Sequence, residues 1–128
     1  MAGIYMPDFP SLESKVRELE KRVQYLEERV EFLVEIADSE KDPFIYLALE
    51  TGLTKNQVDK IFNLMDEVRE GINAGRPMHH HEFERRVYEI VPSRKGDYHF
   101  AESIISSLNE TGRYQDVYQH MKKDGMNI

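Results

Sequence analysis

Residues 12–33 run LESKVRELEKRVQYLEERVEFL, and apolar side chains recur along them in alternating steps of four and three: Leu12, Val16, Leu19, Val23, Leu26, Val30 and Leu33, with Ala37 continuing the series. That spacing is the heptad repeat of a coiled coil, with valine at the a positions and leucine at d. In this register Lys15, Arg22 and Arg29 fall at g, and Glu13, Glu20 and Glu27 fall at e. A parallel pairing sets each g residue against the e residue five positions later on the neighbouring helix. Lys15 then meets Glu20 and Arg22 meets Glu27, whereas an antiparallel pairing opposes like charges. The charges therefore select a parallel assembly, while burial of Val and Leu supplies most of its stability.

Strand number stays open between two and three. Valine at a with leucine at d favours two strands. The stretch Arg22-Val23-Gln24-Tyr25-Leu26-Glu27 resembles a pattern of short three-stranded coiled coils, in which the Arg stem covers the core and its head meets a neighbouring Glu. The competing interpretation is an amphipathic helix packing on its own chain. The residues expected to carry self-association are Leu12, Val16, Leu19, Arg22, Val23, Leu26, Glu27, Val30 and Leu33.

Beyond Asp38 the heptads stop and shorter helical signals follow. Asp42-Pro43 is an N-cap with proline at the first helical position, opening Phe44 to Glu50, and Gly52 can end that helix. Thr54-Lys55-Asn56-Gln57 is a capping box before a helix whose inner face is Val58, Ile61, Phe62, Met65, Val68 and Ile72, frayed at its far end by Gly71 and Gly75. Glu82 to Ile90 turns Phe83, Val87 and Ile90 inward and stops at Pro92. Asp97 caps a helix carrying Phe100, Ile104 and Leu108, which ends near Gly112. A last helix carries Tyr114, Val117, Tyr118 and Met121 and ends at Gly125. The expected fold class is all-α, a long N-terminal coiled-coil helix followed by a compact domain of about five short helices. Its parts are a tail over 1–11, an oligomerisation helix over 12–38, a helical head over 42–124 and a C-terminal tail over 125–128.

The elements Asp42-Pro43-Phe44, Glu50-Thr51-Gly52-Leu53-Thr54, Asp66-Glu67 and Ser107-Leu108-Asn109-Glu110-Thr111-Gly112-Arg113-Tyr114-Gln115 are collinear with a small helical family. In them the chain resembles the YhaI-like proteins, an all-helical family of unknown function in Gram-positive bacteria. The resemblance covers roughly 41–123 and rests on helix caps and buried aromatics. It implies the helical fold and a heptad-bearing first helix, and it assigns no catalytic or ligand-binding residue.

Composition excludes several classes. With no Cys in 128 residues there is no disulfide framework, thiol nucleophile or Cys-ligated metal, which suits a reducing cytoplasm. No apolar run approaches the roughly 18 residues of a membrane span, and Met1 to Pro10 lacks the charged and apolar regions of a signal peptide. A net charge of -7 disfavours generic binding to nucleic acid or anionic membranes. Most of it sits between Asp8 and Asp42, where six Lys and Arg face eleven Asp and Glu.

Sites for chemistry are few. His79-His80-His81-Glu82 with Glu84 is the most conspicuous polar cluster, but helical chelation needs spacing of three or four, met only by His80 with Glu84. A helix N-terminus with solvated histidines is the plain interpretation. A metal site over His79, His80, His81 and Glu84 would need His99 or His120 brought in by the fold, or the same His contributed by several subunits around a symmetry axis, so neither metal nor cofactor is expected. No phosphate loop, serine elbow or His-Glu-x-x-His pair is present, and Asp66 and Glu67, being adjacent, diverge on a helix, so no enzyme is expected.

The expected function is a non-catalytic, cytoplasmic, homo-oligomeric module that binds an unidentified protein partner and no membrane. One alternative is a helix-turn-helix DNA-binding regulator over 44–63, with Lys55, Asn56, Gln57 and Lys60 facing the DNA. Another is an acidic mimic that binds a basic partner protein, although Arg85, Arg86, Arg94 and Lys95 interrupt the acidity of the head.

Overall fold

The computed structural model of the chain describes the backbone of residues 8–38 and 42–128 and the side chains of residues 11–35 and 42–128. Among these are six α-helices and no strand: α1 (Asp8–Asp38), α2 (Pro43–Glu50), α3 (Lys55–Asn73), α4 (His80–Ile90), α5 (Tyr98–Glu110) and α6 (Gln115–Lys123), with a 3-10 turn at Pro92–Arg94. Helix α1 begins at Asp8, so part of the expected 1–11 tail is helical. Pro10 falls in its first turn, where a missing N–H leaves no bond unmade. The rest of that tail, the link at 39–41 and the Ala37 side chain lie outside the described residues.

Helix starts follow their capping residues. The Asp42 carboxylate accepts from the N–H groups of Phe44 and Ile45 at 3.0 and 3.2 Å. The capping box is complete, with Thr54 Oγ1 accepting from Gln57 N–H at 3.1 Å and Gln57 Oε1 accepting from Thr54 N–H at 3.0 Å. His79 caps α4 and Asp97 caps α5. Helix α2 closes through a bond from Leu53 N–H to the Ala48 carbonyl at 2.9 Å, which requires the left-handed φ of 72° at Gly52.

Two local expectations are corrected. Gly71 does not fray α3; it lies inside the helix, and a Cβ there would stand 2.7 Å from the Arg76 carbonyl oxygen, which accepts no side chain so close. Arg76 N–H bonds the Gly71 carbonyl at 2.8 Å, so the glycine lets the departing chain fold back over the helix end. The 125–128 segment is no free tail either: Met126 is buried and its N–H bonds the Met121 carbonyl at 2.9 Å.

The head packs α2 against α5, α3 against α4 and α6, and α5 against α6. Its core holds Phe44, Leu53, Ile61, Met65, Val68, Phe83, Val87, Ile104, Ile105, Leu108 and Met121, all essentially inaccessible. The inner face expected for α3 also includes Leu64, while Phe62 and Ile72 are only partly buried. Helix α1 joins this head through its C-terminal part, against α2.

Candidate functional site: an exposed apolar seam on α1

Every residue from Ser11 to Glu27 is exposed. Contact with the head begins at Tyr25, whose hydroxyl lies by Gly52, and culminates at Phe32, which is buried among core residues. Arg29 donates to the Leu49 carbonyl and, at 3.4 Å, to the Ala48 carbonyl, adding a side-chain donor to acceptors that the Gly52 and Leu53 N–H groups already engage at the end of α2. Glu28 accepts from the Lys55 N–H at 3.3 Å, and Glu31 pairs with the Lys55 ammonium at 3.4 Å. Tyr25 stacks beneath Arg29, whose guanidinium carbon is 5.6 Å from the ring centroid. Residues 25, 28, 29 and 32 follow helical spacing and share one face.

The heptad residues occupy another face. Leu12, Val16, Leu19, Val23, Leu26, Val30 and Leu33 are between 47 and 60% exposed, including those level with the docked part of the helix. The seam is thus not consumed by packing on its own chain. From Leu12 to Leu33 it is about 32 Å long at 1.5 Å per residue. Among the described residues Lys15, Glu20, Arg22 and Glu27 form no ion pair within the chain, whereas Arg17 and Glu13 lie 3.9 Å apart along it. Arg29, at a g position, is already spent on α2.

The DNA candidates are distributed differently. Gln57 is held in the capping box, and its Nε2 also donates to the Ile90 carbonyl at 3.3 Å. Lys55 is engaged by Glu28 and Glu31, which places carboxylates at the N-terminal end of α3, the end a recognition helix turns toward bases. Asn56 and Lys60 are exposed. The basic residues that interrupt the acidity of the head are largely paired: Arg86 with Glu67, Arg85 with Glu82 and Glu89, and Arg94 with Asp97.

The histidines gather at the start of α4. His79 Nδ1 accepts from His81 N–H at 3.2 Å. The His80 N–H donates to Asp124 Oδ2 at 2.7 Å, and His80 Nδ1 lies 2.7 Å from the same oxygen. These bonds, backbone first and ring second, hold the Asp124 carboxyl below the usual carboxylate range. Glu84 pairs with His81 at 3.5 Å. His120 and His99 do not join: His120 Nε2 lies 2.9 Å from the Met78 carbonyl oxygen, and His99 pairs with Glu102 at 3.2 Å. Asp124 carries no local signal of its role, because 44 residues separate it from His80. Phe32 did carry a signal, as a large apolar residue outside the a and d positions.

No curated protein and no solved structure matches the chain. A family match spans residues 17–124, taking in the whole head and α1 from Arg17 onward. On that span the chain belongs to the family described as a protein of unknown function (DUF1878).

Proposed function

We propose that α1 is the seam of a parallel homo-oligomer, a dimer or trimer, that gathers helical heads into a multivalent, non-catalytic protein-interaction or regulatory module. The observation that carries this reading is the seven-residue apolar stripe left exposed on α1 while a different face of the same helix docks on the head. A helix exposed at every residue from Ser11 to Glu27 has little to stabilise it, because isolated helices of about 15 residues are marginal in water. Burying the stripe against copies of itself supplies up to about 1.5–3 kcal/mol per fully covered Leu or Val. The charged residues flanking it complement one another only in parallel. The family span includes α1 from Arg17, and with it Leu19, Val23, Leu26, Val30 and Leu33 together with the head.

The protein-interaction reading is preferred over DNA recognition because Lys55 and Gln57 are already engaged by α1 and by the capping box. No catalytic role is assigned to the adjacent acids, since Asp66 accepts from Tyr114 and Glu67 from Arg86.

Light scattering gives the test. The wild-type chain is expected to have the mass of two or three copies over a range of concentrations, and the Leu19→Asn/Leu26→Asn variant that of one copy with helical content retained. A monomeric wild type, or a variant of unchanged mass, overturns the proposal.

A further inference from the structure

We propose that His79, His80, His81 and Asp124 form a binding site for one divalent transition-metal ion of the zinc type. Three consecutive histidines diverge on a regular helix, but here the helix begins among them. His79 is extended, with φ of -73° and ψ of 146°, and the chain turns into α4 at His80. The turn brings the rings together, with centroids 4.5 Å apart for His79 and His80, 4.0 Å for His80 and His81, and 5.0 Å for His79 and His81. One nitrogen from each ring lies within 4.8 Å of the others. Ligands around tetrahedral zinc at about 2.0–2.1 Å are roughly 3.3 Å apart, so side-chain adjustment alone closes the set onto an ion.

The end of α6 delivers the anionic member. Asp124 Oδ2 lies 2.7 Å from His80 Nδ1 and 3.5 Å from His79 Nε2. Gly125 follows it, and a Cβ there would press on His80 Cε1 at 3.4 Å. Asp124 Oδ2 and His80 Nδ1 face one another as two ligand atoms of the set, while Glu84 stands 3.5 Å from His81 Nδ1 outside it. A carboxylate beside Nδ1 orients a metal-ligating histidine and leaves its Nε2 for the ion, which is the place Glu84 takes at His81. His80 and Asp124 form the anchored side, at 12 and 24% side-chain exposure, while His79 and His81 are open to solvent and able to close over the ion. Neutral nitrogen and carboxylate donors without thiolate suit zinc, nickel, cobalt or copper. Coordination through His79 Nε2 moves that ring's proton to Nδ1, so the ion replaces the cap bond from His81 N–H.

The probe is Zn2+ titrated calorimetrically into the untagged full chain, with Co2+ absorption reporting geometry. We expect one Zn2+ per chain with a Kd below about 10 µM. His81→Ala and Asp124→Asn should each weaken binding at least about tenfold, and His99→Ala should leave it unchanged. The His81 amide resonance should shift on binding as its acceptor is lost. His81 is exposed, so its variant retains the fold, which circular dichroism checks. Weaker or substoichiometric wild-type binding, equal weakening by His99→Ala, or undiminished affinity in the Asp124→Asn variant overturns the assignment.

Discussion

Phe32 and Leu33 are neighbours in sequence and opposites in environment: Phe32 is 3% exposed within the head core, and Leu33 is 57% exposed on the seam. Successive residues of a helix project about 100° apart, so one helix can serve two surfaces if apolar residues outside the heptad register occupy the second. Phe32 is such a residue. With Arg29 on the α2 carbonyls and Glu28 on the Lys55 N–H, it fixes the seam relative to the head.

Truncating the two residues therefore has separable consequences. In the Leu19→Asn/Leu26→Asn background, chosen to remove the proposed self-association, Phe32→Ala should destabilise the head by about 3 kcal/mol through the cavity it leaves. Leu33→Ala in the same background should change head stability by less than about 0.5 kcal/mol. In the otherwise wild-type chain Leu33→Ala should instead make the melting temperature more sensitive to dilution. Equal effects of the two substitutions on urea unfolding of the monomeric background would contradict this division.

Asp42 joins two parts of the head that are far apart in sequence. One carboxylate oxygen caps α2, and the other accepts from the Arg113 guanidinium at 3.0 Å, with Asp42 itself only 5% exposed at the side chain. Loss of Arg113 leaves a buried acid with its second oxygen unpaired. A hydrogen bond to a charged group is worth about 1.5–3 kcal/mol, so Arg113→Ala should cost an amount near the lower end, Arg113 being half exposed. Asp42→Ala also removes the cap and should cost about 1 kcal/mol more than Asp42→Asn. A double-mutant cycle of Asp42→Asn with Arg113→Ala should show coupling, and strictly additive urea midpoints would disprove it.

The parts legible in the sequence are those set by neighbours along the chain. Asp42, Thr54 and Asp97 announce helix starts because a cap bonds N–H groups two or three residues away. The seam on α1 is legible because its period of 3.5 persists through seven positions. What depends on distant segments is not legible in the same way. The docking surface for Phe32 exists only after α2 and α3 are assembled, and the Asp124 that meets His80 arrives from the far end of the chain. Gly71 shows a subtler limit: a helix-weakening residue by propensity, it is required by the Arg76 carbonyl that crosses it.

Acid should weaken the ties between α3 and its neighbours. Arg86 donates two bonds to Glu67 at 2.6 and 3.0 Å, and Arg69 clasps Asp116 at 2.9 and 3.0 Å, which holds both carboxyls below their ordinary values of 4.5 and 3.8. An acid with a lowered folded pKa contributes stability that is present above the unfolded value and is lost as pH falls through the folded one. Stability should therefore decline below about pH 4.5 with a contribution from both pairs, modest because all four side chains are at least partly exposed and screened by salt. Glu67→Gln together with Asp116→Asn should flatten the acid limb of the urea midpoint against pH. An unchanged limb would place the acid sensitivity elsewhere.

Alkali should act through Tyr114. Its hydroxyl donates to Asp66 at 2.7 Å, and its ring supports the Arg69 guanidinium at 4.5 Å from the centroid, so it links the start of α6 to α3. Burial first, and then the bond to Asp66, push its pKa from 10.0 up to about 12. The folded protein keeps this proton over a range in which the unfolded chain has released it. Its contribution is thus whole below about pH 10 and is lost as pH rises from there toward 12. Tyr114→Phe keeps the ring and removes both the proton and the bond. This variant should be less stable at neutral pH, and its stability should fall less steeply between about pH 10 and 12. Tyrosinate absorbance should meanwhile lose its latest-titrating component. If the variant retains the same alkaline slope as the wild type, Tyr114 does not carry that titration.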